Sequence, residues 1–225
     1  MEKPVTSCQL PTTNMTEVWL IRHGESVSNA DLPTGDPAES ALTDLGFQQA
    51  EQIAEVIVEE PDLIVISPYL RARQTAVPTL IRFPNTPTEE WPVHEFTYLN
   101  PARYQGTTGT ERRPYAQAYW ERHNPYEEEN GKGESFTGLM ARVQDTVSRL
   151  RKHPAEFIIV FSHGLFLRAL IWSVMTGTFA ATSKTMERYS HLIQALQIPN
   201  GAIVKARFSL DDPIFISNFD VRHLK

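Results

Sequence analysis

The chain has 225 residues, 41% of them hydrophobic, enough for one α/β domain to bury a core unaided. Its formal charge is −6 and its Lys and Arg residues are scattered, which argues against nucleic acid or any other polyanionic macromolecule as partner. The single cysteine, Cys8, excludes an internal disulfide framework and a cysteine metal cluster.

Residues 1–14, MEKPVTSCQLPTTN, contain two prolines, four Ser or Thr and no apolar signal-peptide core, so a loose leader is expected. No run of 18 apolar residues follows. A cytoplasmic protein with no membrane partner is therefore expected.

Short β-branched runs at Glu17–Ile21, Leu63–Ile66 and Phe157–Phe161 predict buried strands. Between the first two, Leu45, Ala50, Ile53, Ala54 and Ile57 recur at helical spacing behind an N-cap residue, Thr43. Further helices are expected over Tyr69–Ile81, Ser135–Lys152 and Gly164–Thr176, and later strands over Ala202–Phe208 and Ile214–Phe219. The stretch 96–134, rich in Tyr, Pro, Gly, Arg and Glu, is expected to be an insertion with some helix around Tyr115–Arg122. Its Tyr104, Tyr115, Tyr119 and Trp120 could line a pocket or form the insertion's own small core. Alternation of strand and helix predicts a three-layer α/β/α fold with a mostly parallel central sheet, residues 15–225 forming a single domain with the insertion as a lid.

In such a sheet ligands bind beyond the carboxyl ends of the strands. Arg22 and His23 leave the first strand there, Ser67 and then Arg71 the second, and His163 the strand ending at Phe161. A short segment ending at Val93 would deliver His94 and Glu95 to the same edge. Arginine forks match phosphate oxygens, and a histidine among them would be kept neutral, with a ring nitrogen free as nucleophile. The remaining histidines lack ligand spacing, so no metal site is expected.

The runs LIRHGESVSNA (20–30), SPYLRARQTA (67–76) and FSHGLFLRAL (161–170), in that order, resemble the three motifs of the histidine phosphatase, or phosphoglycerate-mutase-like, superfamily. The resemblance implies that His23 is the nucleophile and that Arg22, Arg71 and His163 hold the phosphate. It further implies that Glu95 gives and takes the proton, although the tryptophan-led sequence common around that acid is missing. Asn29 and Ser135 are then candidate secondary contacts. The implied activity is metal-independent hydrolysis of phosphate monoesters, small molecules foremost, through a phosphohistidine. A phosphoglycerate-type mutase is disfavoured because the longer mutase pattern after RHGES is absent, and a phosphate-binding module without turnover is the remaining alternative.

Overall fold

The computed structural model describes residues 15–210 and 214–225, so the leader expected over 1–14, Cys8 included, lies outside the described residues. Six strands are formed: β1 (Thr16–Arg22), β2 (Leu63–Ile66), β3 (Thr88–Glu90), β4 (Phe157–Ser162), β5 (Ile203–Phe208) and β6 (Phe215–Asp220). They lie in one sheet in the order β3-β2-β4-β1-β5-β6. The first four are mutually parallel, while β5 runs antiparallel to β1 and β6 antiparallel to β5. The sheet is thus mostly parallel, with an antiparallel pair on one flank.

Alternation along β1 explains the layering. Val18 and Leu20 face one core and Trp19 and Ile21 the other, because successive side chains of a strand point to opposite faces. Two helices, α1 (Asp44–Val56) and α2 (Leu70–Arg82), contribute Ile53 and Ala76 to the second core. The first core is covered by α3 (Gly109–Glu121), α4 (Phe136–Lys152), α5 (Gly164–Thr176) and α6 (Ser183–Ala195), through Tyr119, Val143, Leu167 and Tyr189. The three-layer α/β/α arrangement is the one expected.

Four details differ from expectation. Leu45, expected on the buried face of α1, is 42% exposed. Gly46 is buried in its place, packed so tightly that a Cβ there would sit 2.0 Å from the Glu25 carbonyl oxygen. The strand expected to reach Val93 stops at Glu90, because Pro92 has no N–H with which to continue the ladder. The helix placed at Tyr115–Arg122 starts at Gly109, where Thr108 and Glu111 form a reciprocal capping box. Between Thr176 and Ala202 the sequence reading anticipates no element, yet α6 fills that space, opened by the Thr182–Thr185 cap and buried through Met186, Tyr189 and Ser190.

Candidate active site

Because β4 lies between β1 and β2, His163 leaves the sheet between His23 and Ser67. The two imidazoles end 4.9 Å apart, centroid to centroid, both buried at the carboxyl edge of the parallel strands. His23 Nδ1 lies 2.6 Å from the carbonyl oxygen of Gly24. A carbonyl only accepts, so Nδ1 carries the proton and Nε2 keeps its lone pair. Arg71 Nε donates to that nitrogen at 3.0 Å. Burial, then the charges of Arg71 and Arg22, hold the His23 pKa well below the usual histidine range. The ring is neutral and its open nitrogen is known.

His163 is held by a neighbouring hydroxyl. Ser67 Oγ accepts from the Tyr69 amide at 3.3 Å and lies 2.7 Å from His163 Nε2. The other ring nitrogen of His163, Nδ1, is buried without a partner among the described residues. Burial first and Arg71 second keep the His163 pKa well below normal. Arg22 Nε is likewise buried and unpaired, while its NH1 donates to the Ile198 carbonyl. Burial lowers the Arg22 pKa to about 10, so the guanidinium stays charged. An unpaired buried donor of this kind demands an acceptor, and phosphate oxygens supply several.

The turn that carries His23 is held from three sides. Its Gly24 amide donates to Thr75 Oγ1 of α2 at 3.1 Å. Gly24 also abuts Gly46 of α1, where a Cβ on either residue would clash with backbone. From the far end of the chain, Asn200 Nδ2 donates to the carbonyls of His23 and Gly24 at 3.1 and 3.2 Å, and to Asn29 Oδ1 at 2.9 Å. Asn29 Oδ1 also accepts from Ser26, which leaves the Asn29 amino group for a ligand. Asn200 lies two residues before the strand expected from Ala202, and the sequence reading assigns it no role.

His23, Arg71, Asn29 and Glu95 line one cavity of about 230 Å³, together with Tyr98, Tyr104 and Arg112 of the stretch 96–134. Glu95 supplies the sole carboxylate among the described lining residues. Its oxygens accept from the Leu165 and Phe166 amides of the first turn of α5 at 3.0 and 3.2 Å. The backbone before it is clamped by Arg142, which donates to the Pro92 and His94 carbonyls while paired to Glu134 at 2.7 Å. Ser135 is elsewhere: its Oγ accepts from Gly138 and caps α4, and it is not on the cavity wall. Of the insertion's aromatics, Tyr104 lines the cavity, Tyr119 is core and Tyr115 is half exposed, so the two sequence alternatives divide among them. Arg112 and Arg142 were hidden in sequence because nothing distinguishes a buried arginine from a solvated one.

Comparison with known proteins bears on this arrangement. Along its sequence the chain is 32% identical over 180 residues to a metal-independent phosphoserine phosphatase of Arabidopsis thaliana, covering 75% of this chain and 72% of that protein. It is 24% identical over 155 residues to a fructose-2,6-bisphosphatase of Saccharomyces cerevisiae, of which it spans only 33%. Among solved structures, an α-ribazole phosphatase from Shigella flexneri superposes with a TM-score of 0.70 at 21% identity, covering 93% of this chain and 98% of that one. A phosphoserine phosphatase from Entamoeba histolytica, in complex with 3-phosphoglyceric acid, gives 0.69 at 20%, covering 93% and 100%. Those two likenesses speak for the fold alone. The family profile runs over residues 18–209, from inside β1 to just past β5, and with it the chain belongs to the histidine phosphatase superfamily, branch 1.

Proposed function

We propose that this protein hydrolyses small phosphate monoesters without a metal, by way of a phosphohistidine on His23. The observation that carries the reading is the fixed tautomer of His23, whose neutral ring offers Nε2 among the cationic Arg71 and Arg22 and beside the unpaired Nδ1 of His163.

As an ester binds, Arg71 gives up the ring nitrogen for a phosphoryl oxygen, freeing the lone pair. Nε2 attacks phosphorus in line, the P–O bond to the alcohol breaks, and Glu95 passes a proton to the departing oxygen. Arg22, Arg71, His163 Nδ1 and the Asn29 amino group bear the charge that gathers on the equatorial oxygens, the main catalytic demand of phosphoryl transfer. Water, losing its proton to Glu95, then attacks the same phosphorus; the N–P bond breaks and inorganic phosphate leaves. A pocket lined by guanidinium groups repels cations, and among the described residues no group of three His, Cys, Asp or Glu could hold a metal ion.

The phosphoserine phosphatase relative supports a small phosphate ester as substrate, and so does a cavity smaller than the ~300–1,000 Å³ usual for larger ligands. Residues 96–134 act as the lid that sets the leaving group. No helix among the described residues is long and apolar enough to cross a membrane, and a cytoplasmic site of action accords with the lone cysteine. The test is turnover of p-nitrophenyl phosphate in excess chelator, with acid-labile and base-stable phosphate trapped on the protein by rapid quench. Turnover that survives chelation and disappears with the trapped phosphate in His23→Ala is expected; turnover by His23→Ala, or its loss on chelation, would overturn the mechanism.

A further inference from the structure

The cavity has a second cationic end. Arg112, at the end of the first turn of α3, is 6% exposed and lines the same cavity as His23 and Arg71. Its NH1 donates to Thr34 Oγ1 at 3.1 Å and to the Thr107 carbonyl and hydroxyl at 2.5 and 2.9 Å. The guanidinium lies 4.4 Å from the centre of the Tyr104 ring, which fixes its plane. No acid pairs with it among the described residues. Asp31 and Glu111 act on its charge without touching it, and make their hydrogen bonds elsewhere, Asp31 to Thr110 and Glu111 to the Thr108 amide. Nε and NH2 therefore have no partner among the described residues.

A buried guanidinium with no acid in contact is costly unless a ligand supplies the charge at its free edge. It is also stiffly mounted: three acceptors hold one nitrogen and an aromatic face fixes the plane, so the remaining edge is a preset fork. Such a fork fits the two oxygens of a carboxylate. The opposite end, at His23 and Arg71, is committed to the phosphate under the reading above, on which this inference rests. We infer that Arg112 is a specificity residue that binds a carboxylate borne by the substrate's alcohol part, so that the preferred esters are small phosphorylated carboxylic acids. The limited volume of about 230 Å³ favours a short carbon skeleton between the two anionic groups.

The test compares matched pairs of esters that differ in the carboxylate: phosphoserine with phosphoethanolamine, and 3-phosphoglycerate with glycerol 3-phosphate. For the intact protein, kcat/KM is expected to favour the carboxylated member of a pair by at least about 100-fold, carried mostly by KM. In Arg112→Gln that ratio should fall below about 5 whatever loss is common to both members, and Arg112→Lys should restore part of it. A merely structural role would lower both members alike and leave the ratio standing, which would overturn the assignment. So would an intact enzyme that shows no preference, or one that prefers a bisphosphate to the carboxylate. Failure of the phosphatase reading is separable: should no ester be turned over, calorimetric binding of each pair to His23→Ala, with and without Arg112→Gln, still shows whether the carboxylate is read at Arg112.

Discussion

Arg71 illustrates how much a single side chain carries. Its Nε meets Nε2 of His23, the proposed nucleophile, and its NH1 is anchored on the Pro37 carbonyl at 2.7 Å, so the guanidinium is aimed before any ester arrives. Removing one such donor from a preorganised site costs about 10²–10³-fold in rate, and Arg71→Ala should lose kcat on that scale. Arg71→Lys should recover little, because an ammonium cannot reach both the carbonyl anchor and the phosphoryl oxygen. Steady-state kinetics on p-nitrophenyl phosphate decide it; near-normal turnover in Arg71→Ala would remove the residue from the chemistry. At this scale the sequence was readable where a residue sat in a motif, as with His23 and His163. It was unreadable where burial alone gives a side chain its meaning: Asn200 and Arg112 earn their places through partners 171 and 78 positions away in the chain.

Among the elements, α1 meets the turn after β1 backbone to backbone, through Gly46 and Gly24. Alanine is intrinsically better than glycine inside a helix by about 1 kcal/mol, so Gly46→Ala should stabilise if propensity ruled. A Cβ 2.0 Å from the Glu25 carbonyl decides otherwise, since backbone must move to admit it. Net destabilisation of about 1–3 kcal/mol is expected, read from the urea midpoint. The same displacement shifts His23, so kcat should fall by on the order of 10²-fold in protein that is still folded. Helix α1 was legible in sequence from Thr43 onward, yet its inward face was misassigned by one residue at Leu45, because a glycine that packs through its missing side chain leaves no hydrophobic signal. Helix α6 was missed although the signal was there: SKTMERYSHLIQA places Met186, Tyr189 and Ser190 at helical spacing behind the Thr182 cap, a narrow apolar stripe set among charged neighbours.

For the molecule as a whole, three histidines are held neutral by their surroundings. Burial is the largest cause for each, and arginine charge adds to it: Arg71 and Arg22 beside His23, Arg71 beside His163, and Arg142 beside His94, whose pKa falls to about 4. Their folded pKa values lie below the unfolded value of about 6.5, so the unfolded chain binds more protons between the two. Their contribution is therefore complete above about pH 6.5 and drains away as pH falls from there towards 4 and lower. Denaturant midpoints measured from pH 7.5 to 4.5 should decline through that window, and a flat profile would mean that the histidines are not buried as described. The alternation of strands and helices made the parallel core of the sheet predictable from sequence. The antiparallel docking of β5 against β1 was not, since nothing in the residues of β5 states which neighbour it takes.

The place of β1 in the strand order has a consequence for how the chain is made. It is translated first among the strands, but both of its neighbours come late, β4 beginning at Phe157 and β5 at Ile203. At about 5–20 residues per second, the ribosome needs roughly 7–27 s to pass from Arg22 to Phe157, and for that time the apolar run Val18–Ile21 has no strand to pair with. The nascent chain thus carries a sticky segment without its sheet neighbours until β4 has been made, and His23, at the end of that segment, meets His163 only then, and Asn200 later still.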